Sequence, residues 1–216
     1  PDAFIWLLRL RSKDARSHDH SVRSSLWATQ FGRHIGLDLG QLRDLCQATL
    51  LKDIGRIKLD PALLHNQNRD SDQEVEYRSF VNHSVEQLRS SGFKNRSVIN
   101  IIKFHCERFD GSGYPDGLSC TQIPLFARIA AIVDCYDAMT SPRYYATPID
   151  HSEAIMKLAG WRKTLFQKEL VDTFIQAIGL YPPGSLVELT SGEVAVVSDF
   201  RVGMGRKPEL TVILDA

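Results

Sequence analysis

His105-Cys106-Glu107-Arg108-Phe109-Asp110-Gly111-Ser112-Gly113-Tyr114-Pro115 is the stretch around which the rest of the chain is organised. It joins the apolar run Val98-Ile99-Asn100-Ile101-Ile102-Lys103-Phe104 to a segment rich in glycine and ending on proline. Glycine reaches positive φ at little cost and proline locks φ, so such a segment has a defined backbone shape. The pattern therefore predicts a helix that ends in a rigid loop, with His, Cys, Glu and Asp side chains held beside it. His-x-Glu alone says little, whereas Asp-Gly-Ser-Gly-Tyr-Pro after it is specific.

Outward from this loop, apolar residues recur at a helical period. Upstream, short helices are expected over 3–12, 20–35, 41–54 and 75–88, with a helical turn at 61–64 and a polar loop over 65–72. Ser97 to Glu107 leads into the quoted loop. Downstream, 124–139 is a strongly apolar helix, and 149–158 and 165–178 are two more. Then Ser185-Leu186-Val187-Glu188-Leu189 and Glu193-Val194-Ala195-Val196-Val197 flank Ser191-Gly192, a hairpin signal, and 208–215 offers a third strand. The expected fold is mainly α, a bundle of about seven or eight helices over 1–181, with a small β-rich C-terminal subdomain over 182–216.

Composition bounds the class. At 216 residues, 43% hydrophobic and 24% charged, the chain can bury a real core. Lys plus Arg and Asp plus Glu both total 26, which argues against a non-specific nucleic-acid binder. Cys46, Cys106, Cys120 and Cys135 show no framework spacing, as in reduced cytoplasmic proteins. Ile5-Trp6-Leu7-Leu8 is too short to span a bilayer, so no membrane segment is expected in this stretch. The opening Pro1 reads as the start of a fragment.

Histidines and carboxylates on separate helices are how helical bundles build dinuclear metal centres. The candidates are His20, Asp53, His83, His105 and Asp134, with Cys106 as a further ligand. Each alone also fits a structural role: a helical His satisfied by a hydrogen bond, Asp53 capping a turn, Asp134 paired with a cation.

Taken together, these motifs resemble those of the HD-GYP family, cyclic di-GMP phosphodiesterases of the HD superfamily, motif by motif over roughly residues 14–147. The family's Leu-Leu-His-Asp-Ile-Gly-Lys-Ile segment is similar to Leu50-Leu51-Lys52-Asp53-Ile54-Gly55-Arg56-Ile57. Its next histidine matches His83, its His-His-Glu matches His105-Cys106-Glu107, and its late aspartates match Asp134 and Asp137. An upstream His-Ser with Arg matches His20, Ser21 and Arg23. The resemblance implies an HD-type helical bundle in which paired divalent metals activate a hydroxide that attacks the phosphorus of cyclic di-GMP. It also implies Asp53 and Arg56 in the catalytic set. His20, Asp53, His83, His105, Cys106 and Asp134 become the metal ligands, and Arg143, Tyr114 and Asp137 the substrate contacts. The loop Gly113-Tyr114-Pro115 is linked in the family to diguanylate-cyclase (GGDEF) domains.

The departures carry the functional content. Lys52 stands where the family has its naming histidine, and Cys106 where it has a second histidine. A thiolate can still ligate, with a preference for zinc or iron, and iron, manganese or zinc are the metals expected. An ammonium cannot ligate while protonated. Arg56 replaces a lysine but can clamp a phosphate bidentately. Ala146 loses a second substrate cation after Arg143. The resulting expectation is a degenerate bacterial HD-GYP domain with reduced or absent metal and weak or absent hydrolysis, acting in regulation or protein contact. The alternative is an active phosphodiesterase with an altered metal site. Another phosphohydrolase of the wider superfamily is disfavoured by the loop.

Overall fold

The computed structural model describes residues 3–142, 147–179, 185–199 and 209–214. Among them, ten α-helices precede a small sheet. They are α1 (Ala3–Lys13), α2 (Ala15–His34), α3 (Leu39–Leu51), α4 (Pro61–His65), α5 (Ser71–Arg78), α6 (Phe80–Ser90), α7 (Arg96–Phe104), α8 (Leu125–Thr140), α9 (His151–Gly160) and α10 (Lys168–Ile178). The mainly helical reading stands. The helix expected over 75–88 is instead two, because Asp70 and Gln73 form a capping box that starts α5 at Ser71. The Ser79 hydroxyl then bonds to the Glu76 carbonyl at 2.6 Å and helps close that helix before α6 begins.

Side-chain caps set the other starts. The Asp14 carboxylate accepts from the Arg16 and Ser17 amides at the head of α2, and Asn95 does the same for Ser97 and Val98 at α7. Helix α8 is apolar nearly all round and is buried accordingly, with Ile129, Ala130, Ile132, Val133 and Tyr136 fully enclosed. Aromatic edges tie it to its neighbours. Trp27 of α2 meets Tyr136 of α8 at 5.2 Å between centroids, and Tyr136 meets Phe174 of α10 at 5.3 Å. Phe174 in turn meets Phe31 of α2 at 5.2 Å. Each such pair adds about 0.5–1.5 kcal/mol beyond its burial. This packing fixes α2 against α8, and so fixes His20 against Asp134 and Asp137.

A second, smaller apolar cluster of Leu59, Leu63, Leu64, Phe80, Val81 and Cys106, with Tyr77 and Tyr114 against it, lies under the quoted loop. The 3₁₀ turn Ile54–Lys58 lies directly on α6: a Cβ on Gly55 would stand 2.0 Å from the Phe80 carbonyl oxygen. The Ser84 hydroxyl donates to the Lys52 carbonyl at 2.7 Å and accepts from the Gly55 amide at 2.8 Å, clamping the turn. Buried Glu107 holds the loop, its two carboxylate oxygens accepting from the Asp116 amide at 2.8 Å and the Leu118 amide at 3.1 Å. At Gly113 a side chain would collide with the Glu107 Cα at 2.4 Å. The loop is therefore rigid for stated reasons: a buried acid inside it and no room for a Cβ.

The strands β1 (Leu186–Glu188), β2 (Val194–Asp199) and β3 (Glu209–Leu214) form an antiparallel sheet in the order β1-β2-β3. Gly192, at φ +91°, makes the β1–β2 turn that Ser191-Gly192 predicts. The boundary expected near residue 182 lies outside the described residues, as do Arg143 and Ala146.

Candidate functional site

Three segments meet at one point. His20 projects from the second turn of α2, Lys52 and Asp53 follow the last turn of α3, and Asp134 and Asp137 lie three apart on one face of α8. His20 meets carboxylates with both ring nitrogens, Nδ1 at 2.6 Å from Asp137 Oδ2 and Nε2 at 2.8 Å from Asp134 Oδ1. Asp53 Oδ2 lies 3.9 Å from His20 Nε2. Arg56 Nε donates to Asp53 Oδ1 at 2.6 Å, and Arg23 Nε to Asp137 Oδ1 at 3.1 Å.

Lys52 sits at the centre. Its side chain is 1% exposed, and its ammonium donates to Asp53 Oδ2 and, at 2.6 Å, to Asp134 Oδ1. Three cations, Lys52, Arg23 and Arg56, thus face three carboxylates, Asp53, Asp134 and Asp137. Burial opposes charge on Lys52, but the carboxylates of Asp134 and Asp53 together hold its pKa above the ordinary lysine value. Burial likewise opposes charge on Asp53 and Asp134, yet Lys52 foremost holds both far below the carboxylate range. Arg56 and His20 add to this on Asp53.

These shifts predict a pH profile with a definite sign. The depressed carboxylates contribute stability that is complete above about pH 4–5 and is lost as the pH falls through their native values. Raised Lys52 contributes stability that is complete below about pH 10 and is lost as the pH rises through its native value. Thermal unfolding across pH should show a plateau between these limits with losses on both sides. A midpoint that rises on acidification from pH 5 would contradict the network.

The donor atoms of His20, Asp53 and Asp134 lie within 4.8 Å of one another, a spacing able to hold a metal ion. The fit fails on chemistry: the same two carboxylate oxygens a cation would take already carry the Lys52 ammonium. The other candidates do not join this set. His83 is partly exposed on α6 and faces Glu86 at 3.8 Å, because α6 turns Ser84 inward. His105 Nδ1 donates to the Ile102 carbonyl, 2.7 Å away, and Nε2 lies 3.3 Å from Cys106 Sγ. Against the burial of both groups, each draws the other toward its charged form, the His105 pKa upward and the Cys106 pKa downward. The pair is a dyad beside the centre.

Substrate assignments also shift. Asp137, expected as a substrate contact, is 1% exposed and spends its oxygens on His20 and Arg23. It orients those two residues. Tyr114 packs into the smaller apolar cluster beneath the Arg78 guanidinium, 4.9 Å away. Its ring thus faces inward, and Ser112, Asp116 and Gly117 form the exposed rim of the loop. Arg56 is stacked 4.2 Å over the Phe80 ring, with Nη1 donating to the Tyr77 hydroxyl at 2.6 Å. Ser84 and Tyr77 were not legible as members of the site. Each has an ordinary helical setting in the sequence, and only the contact with the Ile54–Lys58 turn recruits them.

A helical bundle that converges His and Asp in this way is an HD domain. Residues 8–170 match the HD domain family, and the chain belongs to that family. Its relatives are of the HD-GYP type. One is a cyclic di-GMP phosphodiesterase of Pseudomonas aeruginosa, 34% identical over 91% of this chain and 48% of the relative. Another is a cyclic di-GMP phosphodiesterase response regulator of Xanthomonas campestris, 32% identical over 71% of this chain and 41% of the relative. The chain spans about half the length of the curated relatives it matches. A solved HDG"Y"P protein from Bdellovibrio bacteriovorus, Bd1817, superposes with a TM-score of 0.61 at 20% identity, covering 73% of this chain and 50% of that one. The phosphodiesterase PgpH HD domain of L. monocytogenes, in complex with cyclic-di-AMP, gives 0.60 at 14% identity, covering 80% and 92%. At these identities the likeness is one of fold. Among the described residues, no helix is long and apolar enough to cross a membrane.

Proposed function

We propose that this chain is an HD-GYP-type module of bacterial cyclic di-GMP signalling whose phosphodiesterase activity is weak or absent and whose role is regulatory. The observation that carries this reading is the Lys52 ammonium bridging Asp53 and Asp134. Bound metals would supply an activated hydroxide and a Lewis acid at the phosphorus. In this chain Lys52 neutralises the carboxylates instead, and it offers neither an open coordination position nor a water of lowered pKa. His20 is committed to Asp134 and Asp137, so no base stands free among the described members of the site.

Elemental analysis of untagged protein, purified without oxygen and then offered iron, manganese and zinc, tests the proposal together with a cyclic di-GMP hydrolysis assay. The expected result is substoichiometric metal and little product. A diguanylate-cyclase domain is the partner this role implies, and its capture by the wild-type chain is the readout when turnover is absent. The second reading, an active phosphodiesterase, is favoured by the His20, Asp53 and Asp134 spacing. It requires metal to displace Lys52, and about two metals per chain with rapid turnover would establish it in place of the first.

A further inference from the structure

The outer surface of α5, α6 and α7 carries a charge pattern that the Lys52 centre does not use. Ser79 separates α5 from α6 but keeps right-handed helical dihedrals, φ −62° and ψ −17°, and its carbonyl accepts from the His83 amide at 3.0 Å. The helical phase therefore runs on from α5 into α6. Asp72, Val75 and Glu76, then Asn82, Glu86 and Arg89, follow one another at helical spacing with Ser79 between the two groups, and all six are exposed. They form one stripe.

The stripe is bipolar. Its α5 end carries Asp72 and Glu76, neither of which forms an ion pair among the described residues, and Val75 stands between them 70% exposed. Its other end carries Arg89, joined by Lys94 and Arg96 around a hollow of about 680 Å³ floored by Phe93 and Ile99. These three cations likewise form no ion pair among the described residues, and the described lining of the hollow holds no acid. Between the two ends, Glu86 is already neutralised by Lys58 at 2.7 Å. Basic and acidic residues are equal in number over the whole chain, so the stripe is a local separation of charge and not an overall excess. Glu76 and Arg89 are about 20 Å apart along helix, too far to pair within one chain.

We infer that this stripe pairs with the same stripe of a second copy of the chain, antiparallel across a two-fold axis near Asn82. The axis follows from the spacing, because the midpoints of Glu76 and Arg89 and of Asp72 and Lys94 both fall at Asn82–His83. One antiparallel placement therefore sets Glu76 against the partner's Arg89 and Asp72 against the partner's Lys94, and lays Val75 toward the partner's Phe93 and Ile99. A two-fold contact is self-complementary, so each pair occurs twice. The stripe is about one helix wide and its ion pairs lie at the surface, which makes the dimer weak and salt-sensitive. The inference does not depend on whether the centre holds metal.

The test is sedimentation equilibrium of the whole chain over a concentration series at low and high salt. A monomer–dimer equilibrium is expected, weaker at high salt. Glu76→Arg and Arg89→Glu each put like charges together at both copies of their pair, and each alone should weaken the dimer about tenfold or more. Both residues are exposed, so the fold is retained, and a circular dichroism spectrum checks it. An equimolar mixture of the two variants should associate as the wild type does, because its mixed dimer has one native and one charge-swapped pair. A chain that stays monomeric throughout leaves the stripe to some other partner and overturns the inference. So does a dimer that neither single variant weakens, or a mixture of the two that fails to associate.

Discussion

Replacing Lys52 with alanine is expected to destabilise the metal-free chain by about 3–5 kcal/mol, the range found when one partner of a buried ion pair is removed. For a domain of this size that corresponds to a fall of roughly 6–20 °C in Tm. The side chain is 1% exposed and its ammonium is shared by Asp53 and Asp134, so its loss leaves two carboxylates facing each other with Arg56 and His20 as remaining partners. Burial then raises the carboxyl pKa values instead of being overruled, and one of the two should take up a proton. The sign of the pH dependence accordingly reverses near neutrality: the variant should gain stability as the pH falls from 7 toward 5, while the wild type stays flat. Lys52→Met separates charge from volume. If the loss comes from the missing charge, Met should be nearly as damaging as Ala. Denaturant unfolding at several pH values reads all of this, and an unchanged or raised midpoint in Lys52→Ala would show that Lys52 is not the cation holding the centre together.

Converting Lys52 and Cys106 together to histidine is expected to raise metal affinity by about a thousandfold and to bring cyclic di-GMP hydrolysis with it. Two like charges about 4 Å apart repel by roughly 4 kcal/mol at an effective dielectric near 20, which is the thousandfold. Most of the gain should come from Lys52→His, because that change removes the repelling charge and frees Asp53 Oδ2 and Asp134 Oδ1. Cys106→His contributes less on its own. Cys106 is enclosed in the smaller cluster with Phe80 and Tyr114, and an imidazole there must displace packed side chains. Competition with a chromogenic chelator measures affinity, and product formation measures turnover. A double variant with wild-type metal affinity would mean that the charge at position 52 was never the obstacle.

The helical class, the rigid loop and the C-terminal hairpin were legible in the chain itself. A 3.6-residue apolar period marks helices wherever packing is one-sided, and Gly111, Gly113 and Pro115 mark a loop whatever surrounds it. The residues of the centre were legible as a set of types: His20, Asp53 and Asp134 do converge, and Lys52 does stand among them. Periodicity sees apolar faces and not the aim of polar side chains at helix ends, so it predicts one helix where the Asp70 cap and Ser79 set a break between α5 and α6. Which way α6 faced was decided by tertiary contact, since Gly55 lets the Ile54–Lys58 turn lie against Ser84 and leaves His83 at the surface. Asp137 was drawn inward for a similar reason, because α2 is packed on α8 through Trp27 and Tyr136 and brings His20 and Arg23 to it. The order of residues settles which charged groups are available and on which elements they ride. Which of them face each other at hydrogen-bonding distance is set by how the helices are turned and seated, because a buried charge is tolerated only where packing brings a partner to meet it.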